Sequence, residues 1–376
     1  MENITKTQYY SYCTGNISKG CELCVHGRKL VLFISGLCSR RCFYCPVSEH
    51  KFGKDVVYAN EWKIKDPDNP VELIEEAKLT EARGAGITGG DPLSNVDRCC
   101  EYIKLLKEKF GKEFHIHLYT SLILVTHERL KKLYEAGLDE IRFHPDLDDK
   151  KIWDNLKIAR EFDWDVGVEI PSIPGYEKKT KELIDFVQDK VDFLNLNELE
   201  LSDTQISHYK LNELGFMPRD NISYGTKGSA SMAVKLLEYA KSKNLRAHFC
   251  TAKLKDGVQV KKRIQLRSRN VALKFDKITE DGLLVRGCIY LPELKPGYGK
   301  NLDRNEMKEK LKVFYNKLLN NFKEEEILLD EVKIRFITSD KLIKKNAEVI
   351  KKLGLVPAIV EEYPTADAFE AEVEYL

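Results

Sequence analysis

The sequence predicts an α/β fold built on a parallel sheet. Short apolar strand patterns alternate with amphipathic helical patterns between residues 29 and 250, and polar residues follow the strands where they end. Repeated about six times, such right-handed βαβ units form a partial (β/α)6 barrel. The strand candidates are Lys29–Ile34, Ala85–Thr88, His115–Thr120, Glu140–Phe143, Asp165–Ile170, Asp192–Asn197 and Arg246–Cys250.

The segments between most strands have the apolar spacing of helices. In one such segment apolar residues recur at intervals near 3.6 residues, namely Cys99, Ile103, Leu106 and Phe110. This helix therefore turns one face to the core, and Cys99 lies on that face. The pattern predicts three regions. These are an N-terminal cysteine-rich extension (1–28), the barrel (29–252) and a C-terminal α+β accessory domain (253–376).

Composition narrows the class of protein. Lys and Arg number 61 against 60 Asp and Glu, so the overall charge indicates neither a nucleic-acid binder nor a binder of acidic ligands. No apolar run approaches the roughly 20 residues of a membrane span, and the first ten residues are polar. We therefore expect a cytoplasmic protein without membrane contact, whose ten cysteines serve metal ligation rather than disulfides.

Three cysteines follow the first strand candidate on one short loop. Cys38, Cys42 and Cys45 have the spacing C-x3-C-x2-C. A [4Fe–4S] cluster needs four ligands, so a loop with three thiolates leaves one iron open for a cofactor. The alternative is a zinc knuckle with its fourth ligand elsewhere in the chain.

A second motif, Gly89–Gly90–Asp91–Pro92, ends the next strand candidate. Together the two motifs resemble the radical S-adenosylmethionine (radical SAM) superfamily, and within it the archaeal proteins related to pyruvate formate-lyase activating enzymes. The resemblance implies a partial barrel in which SAM chelates the open iron. It also implies reductive cleavage of SAM to a 5′-deoxyadenosyl radical that abstracts hydrogen from a substrate, with ferredoxin or flavodoxin as electron donor.

The resemblance also suggests which residues contact SAM. Tyr44 precedes the third cysteine, where the family places an aromatic residue near the adenine. Gly89, Gly90 and Asp91 match the segment that holds the methionine amino group. Polar residues near the ends of the fourth and fifth strands complete the predicted SAM site, namely Arg142, His144 and Glu169.

Four further cysteines lie outside this loop, at both ends of the predicted barrel. Cys13, Cys21 and Cys24 precede the first strand, and Cys250 ends the last. The C-x2-C step is a common metal-ligand spacing, so these four predict an auxiliary Fe–S cluster or zinc site. In the alternative interpretation, Cys13 and Cys250 are small buried hydrophobic residues.

From Thr251 the pattern changes to a basic helix, a strand pair around Asp281–Gly282, and then helix, strand, helix and strand to residue 360. Ser339 is the predicted N-cap of the last helix. The basic helix is either a contact for nucleic-acid phosphates or a solvated face. Its cations are Lys253, Lys255, Lys261, Lys262, Arg263, Arg267 and Arg269.

The sequence therefore predicts a radical SAM enzyme, of the oxidoreductase or the transferase class, acting on a macromolecule, either tRNA or a protein. One alternative is a glycyl-radical-enzyme activating enzyme, although the N-terminal cysteines and the C-terminal domain exceed what a minimal activating enzyme needs. Another alternative is a non-catalytic Fe–S redox or sensor protein. The Gly89–Pro92 motif disfavours that alternative, because an electron carrier needs no SAM site.

Overall fold

The structure is a computed structural model that describes residues 4–202, 204–220, 224–297 and 302–376. It divides into two units, Met1–Arg263 and Ile264–Leu376. In the described residues, no helix has the length and apolarity required to cross a membrane.

The first unit contains one mixed sheet. Its parallel strands β3 and β6 to β11 correspond to the seven strand candidates, which are confirmed within two residues at each end. The order β1-β2-β11-β10-β9-β8-β7-β6-β3-β4-β5 leaves both edges open, as expected for a partial barrel. The strands are β1 Thr5–Lys6, β2 Tyr12–Thr14, β3 Lys29–Phe33, β4 Tyr58–Ala59, β5 Trp62–Lys63, β6 Gly84–Thr88, β7 His115–Thr120, β8 Glu140–Phe143, β9 Asp165–Ser172, β10 Phe193–Glu198 and β11 Ala247–Cys250.

Helices connect the parallel strands, as the alternation predicts. Several have clear end signals: the Thr126 hydroxyl accepts a hydrogen bond from Arg129 N–H, and Gly137 ends the same helix in the left-handed conformation. The helices are α1 Lys19–Val25, α2 Val71–Leu79, α3 Val96–Phe110, α4 His127–Ala136, α5 Glu177–Val187, α6 Ser229–Ser242, α7 Ala252–Leu254 and α8 Lys261–Val271, with 3-10 turns at Pro92–Asn95 and Lys150–Glu161 and a π-helical stretch at Lys255–Val260.

The two faces of the sheet differ in chemistry. Residues such as Leu32, Ile87 and Ile141 point outward into a continuous apolar core with the helices. Alternate residues point inward because side chains change face at every position along a strand. The inward set is polar and mostly buried, and includes Lys29, His115, His117, Tyr119, Glu140, Arg142, Glu169, Asn195 and His248.

The N-terminal extension fills part of this polar interior. Strand β2 pairs antiparallel with β11, so that Cys13 lies opposite His248. Helix α1 then packs inside the sheet, where Gly20 N–H donates to Glu140 Oε2 at 3.2 Å. Any side chain at Gly20 would collide with His117 and Arg142. The sequence predicts that the segment folds back to the closing strand, but it gives no sign of this interior helix.

The second unit is an α+β domain with an antiparallel sheet. Its strands pair in the order β14-β15-β13-β16-β17, and β12 pairs with β13. Ser339 caps the last helix as predicted, accepting from Leu342 N–H. The elements are β12 Lys277–Ile278, β13 Leu284–Tyr290, α9 Arg304–Leu318, β14 Leu328–Asp330, β15 Arg335–Thr338, α10 Asp340–Lys352, β16 Val356–Glu362 and β17 Glu370–Tyr375.

A buried ion-pair network stabilises one face of this second sheet. The side chain of Arg335 is fully buried, and its guanidinium donates to Asp330, Glu362 and Glu370 at 2.6–3.0 Å. It also donates to the Tyr290 hydroxyl at 3.0 Å. A buried charge is tolerated only when paired, so these partners are required for this part of the domain to fold.

Candidate active site in the barrel

The C-x3-C-x2-C loop follows β3 at the carboxyl edge of the parallel sheet. Cys38, Cys42 and Cys45 are free thiols, each partly exposed. Arg40 N–H donates to Cys38 Sγ at 3.3 Å, the kind of bond that stabilises a thiolate. Burial raises the pKa of Cys38 to about 11, and the charges of Cys42 and Cys45 add to this rise. A metal centre binds cysteine as thiolate, so its binding to these thiols would release their protons.

Two side chains of the loop fix it to the end of β8. Arg40 donates to the backbone oxygen of His144 at 2.7 Å and to Asp146 Oδ2 at 2.8 Å. The Tyr44 hydroxyl lies 2.9 Å from His144 Nε2. These bonds bring Tyr44 and His144, both predicted SAM contacts, to one place beside Cys42.

His144 is held as a neutral imidazole. Its Nδ1 lies 2.8 Å from the backbone oxygen of Glu169 and must carry the proton, because a carbonyl only accepts. Nε2 is then the acceptor for the Tyr44 hydroxyl. Burial lowers the pKa of His144 to about 4, and the positive charge of Arg40 contributes to the shift.

The Gly89–Pro92 segment lies directly against the cysteine loop. Gly90 N–H donates to Ser35 O at 2.9 Å, and Asp91 N–H donates to Leu37 O at 2.8 Å. A Cβ at Gly89 would collide with Ser35 O, and one at Gly90 with Leu37 O. Glycine is required here because the two loops touch through their backbones.

Asp91 has a structural set of partners that the sequence prediction did not include. Its carboxylate is buried and accepts bonds from Leu93 N–H, the Thr120 hydroxyl, and both the N–H and hydroxyl of Ser121, at 2.5–3.3 Å. With four hydrogen bonds made inside the protein, Asp91 joins the loops after β6 and β7. It positions the glycines rather than presenting a free carboxylate.

Arg142 and Glu169 lie deeper in the barrel. Arg142 is buried and donates to Glu140, Tyr119 and Glu169, and also to the Ser18 hydroxyl. These bonds connect α1 with strands β7 and β9, and a contact of Arg142 with SAM stays a prediction.

The side chain of Glu169 accepts three hydrogen bonds in the interior of the barrel. Oε2 accepts from Arg142 at 2.7 Å and from Asn195 at 3.0 Å, and Oε1 accepts from Asn197 at 2.9 Å. Burial alone would raise the pKa of Glu169, but the charge of Arg142 and the hydrogen bonds from Asn195 and Asn197 lower it. The group is therefore an ionised carboxylate. Asn195 and Asn197 close β10 and face inward, as the strand pattern predicts.

The auxiliary cysteines also face this interior. Cys21 Sγ accepts from Asn195 Nδ2 at 3.3 Å. Burial would raise the pKa of Cys21, but Arg142 and the adjacent His248 lower it to about 7. Burial raises the pKa of Cys24 to about 11, and the charge of Cys21 adds to this rise. Burial also raises the pKa of Cys250, and the charges of Cys21 and Cys24 contribute. Three of the four predicted ligands are thus neighbours.

Across the described ranges, no three His, Cys, Asp or Glu side chains are arranged to hold one metal ion. This holds for the C-x3-C-x2-C loop and for the interior thiols alike. None of the ten cysteines forms a disulfide in the structure.

The basic segment after Thr251 turns several of its cations inward. Lys255 pairs with Glu200 at 2.5 Å, and Arg263 with Glu61 at 2.6 Å. Lys262 donates to Val25 O at 2.9 Å and lies over the ring of Tyr9. Cations with partners inside the protein are poor candidates for contacts to nucleic-acid phosphates.

Two comparisons place the chain among known sequences. A sequence model of the Radical SAM superfamily matches residues 32–187. A protein of Methanocaldococcus jannaschii with the provisional name glycyl-radical enzyme activating enzyme is 40% identical over 368 residues, covering 95% of this chain and 92% of its own. PqqA peptide cyclase of Bradyrhizobium diazoefficiens is 25% identical over half of each chain.

Solved structures are more distant. SuiB of Streptococcus suis bound to S-adenosylmethionine superposes with a TM-score of 0.42 at 15% identity, over 61% of this chain and 53% of SuiB. Methylornithine synthase (PylB) has a TM-score of 0.38 at 14% identity, over 63% and 79%.

The chain belongs to the radical SAM superfamily. It is an enzyme that binds a [4Fe–4S] cluster and SAM, which confirms the predicted family, fold and cofactors and excludes the non-catalytic alternative. Arg40 is a site residue that the sequence analysis missed, because an arginine between two cysteines has no pattern that reveals its partner 104 residues later.

Proposed function

We propose that Cys38, Cys42 and Cys45 hold the catalytic cluster and that the substrate is a protein. The observation that carries the ligand assignment is the attachment of this loop, through Arg40 and Tyr44, to the carboxyl edge of the sheet. Active sites of parallel α/β sheets lie at that edge. Among the described cysteines, these three share one loop there.

Cys38, Cys42 and Cys45 would hold the cluster, which would pass one electron from an external reductant to SAM; cleavage of SAM to methionine and a 5′-deoxyadenosyl radical would then allow abstraction of a hydrogen atom from the substrate. The residues of the chain orient this chemistry. Gly89 and Gly90 let the loop after β6 approach the cysteines, and Tyr44 and neutral His144 form one wall. A cavity of about 360 Å³ lies beside Cys42 and Tyr44.

Two observations favour a protein over RNA. Three cations of the basic segment, Lys255, Lys262 and Arg263, have partners within the protein. In addition, the 40% identical relative carries the name of an enzyme that acts on a glycyl-radical enzyme, which is a protein. A ferredoxin or flavodoxin is the matching class of electron donor.

Deuterium transfer tests this proposal. Native cells are grown in deuterated medium, and their protein and RNA are separated and offered to the reconstituted enzyme with SAM and dithionite under anaerobic conditions. We expect deuterium in 5′-deoxyadenosine with the protein fraction only. Deuterium from the RNA fraction would overturn the substrate assignment.

Matched variants test the ligand assignment separately. Cys38→Ala is expected to abolish 5′-deoxyadenosine release, because loss of one thiolate removes a cluster ligand. Cys100→Ala, at a buried cysteine of α3, is expected to retain it. Equal activity of the two variants contradicts the assignment.

A further inference from the structure

A second group of thiols lies inside the barrel, away from the C-x3-C-x2-C loop. Cys21 and Cys24 are one turn apart on α1, and Cys250 ends β11. Each is close enough for thiolate charge on the others to act on it. Helix α1 contacts β3, β6 and β7, so it carries its two cysteines into the space that the sheet encloses.

An unpartnered imidazole accompanies these thiols. His248 is 3% exposed and faces Cys21, and neither of its ring nitrogens has a hydrogen-bond partner among the residues that the structure describes. Burying a polar group without a partner destabilises the folded state. Asn195 Oδ1, also buried, lacks a partner in the same part of the chain. A ligand in this space would satisfy such groups.

The chemistry of the donors defines the ligand. Thiolates and imidazole select zinc, copper(I) or Fe–S clusters. A single zinc ion needs all its donors about 2.0–2.3 Å from one point, and the described residues offer no such arrangement. A cluster distributes its protein ligands over several irons, so its cysteines need not surround one point.

We propose that Cys21, Cys24, Cys250 and His248 hold a second iron–sulfur cluster inside the barrel. His248 replaces Cys13 as the fourth ligand that the sequence pattern predicted. The two residues lie opposite each other in the β2–β11 pairing. Asn195 joins the two centres, because its amide donates both to Cys21 and to Glu169. The backbone oxygen of Glu169 accepts from His144, the partner of Tyr44.

The site does not depend on the proposed substrate, and it is tested without measuring activity. The variant Cys38→Ala/Cys42→Ala/Cys45→Ala removes the first cluster, so any remaining cluster belongs to the interior. We expect roughly four irons and four sulfides per chain after anaerobic reconstitution, with an Fe–S signal in electron paramagnetic resonance after reduction. Adding Cys24→Ala or Cys250→Ala should remove both, whereas adding Cys100→Ala should not.

The fourth ligand is tested in the same background. His248→Ala should change the resonance spectrum and the reduction potential, and Cys13→Ala should change neither. The reverse result overturns the assignment of His248. A folded triple variant without iron, one that binds a single zinc, or one that keeps iron after Cys24→Ala overturns the site.

The measurement also works if the triple variant does not fold. Wild-type protein should then contain roughly eight irons, and Cys24→Ser in the wild-type chain should contain roughly four. A wild-type content of four irons, unchanged by Cys24→Ser, contradicts the proposal.

Discussion

Tyr44 and His144 lie 2.9 Å apart, hydroxyl to Nε2, although 100 residues separate them in the chain. One belongs to the cysteine loop and the other to the end of β8. His144 donates its Nδ1–H to the backbone oxygen of Glu169, so its Nε2 carries no proton. The Tyr44 hydroxyl is therefore the donor and His144 Nε2 the acceptor. The bond therefore ties the cluster loop to the part of the barrel where SAM is expected.

Tyr44→Phe tests whether the hydrogen bond between Tyr44 and His144 positions the SAM site. The ring remains against Phe43, but the hydroxyl is lost, which costs about 1 kcal/mol for one hydrogen bond. We expect the KM for SAM to rise about fivefold with unchanged iron content. Tyr134→Phe, on an exposed side chain, is the control. An unchanged KM in Tyr44→Phe means that the bond does not position the SAM site.

Gly90→Val tests the contact between the two loops. A Cβ there would overlap Leu37 O, so the cysteine loop and the loop after β6 must separate. We expect SAM to bind at least about tenfold more weakly, roughly 1.4 kcal/mol, in equilibrium dialysis. Gly257→Ala serves as the control, since its Cβ would meet only Lys253 Cγ at 4.0 Å. Equal SAM affinity in the two variants would show that Gly90 is only a turn residue.

The buried histidines predict loss of stability in acid. Burial lowers the pKa of His144 to about 4, of His115 to about 2, and of His117 well below its usual value. Below about pH 6.5 the unfolded chain binds protons that the native state does not, so the free energy of unfolding falls as the pH falls toward 4. Each histidine contributes up to about 1.4 kcal/mol per pH unit.

Urea unfolding at pH 7.5, 6.5 and 5.5 measures this slope. His117→Gln should reduce it by about a third, because one of three such groups is removed. His127→Gln, at a surface position, should leave it unchanged. A slope that is the same in wild type and His117→Gln would assign the acid sensitivity to other groups.

Arg335→Leu tests the buried network of the C-terminal unit. The change leaves Asp330, Glu362 and Glu370 without their cation, which costs about 3–5 kcal/mol for a buried pair. We expect a lower urea midpoint for the unfolding of this unit. Adding Glu362→Gln should recover part of the loss, whereas Lys351→Ala at an exposed pair should change little. A variant as stable as wild type contradicts the role of the network.

The strands were predictable because their signal is local. Strands such as β7 and β8 alternate apolar and polar residues, and the apolar half alone defines the outer core. The same alternation places Glu169 and Asn195 inside. The edge strands β14 and β17 were missed, because β17 is rich in glutamate and lacks the apolar alternation of a strand with a buried face.

The partners of the interior groups were not predictable. Arg142 faces inward as its position suggests, but Ser18 is 124 residues away and no short pattern connects the two. Helix α1 is short and rich in cysteine and glycine, so only its packing against Glu140 and Arg142 makes it a helix inside the barrel.

The interior position of α1 also constrains how the polypeptide is made. Thr14 bonds to Ala247, 233 positions later, and Cys21 bonds to Asn195, 174 positions later. On the ribosome, the first residues to emerge must therefore wait for β11 before they reach their native neighbours. Such long-range contacts slow folding. Until they form, the inside of the nascent barrel stays open to water.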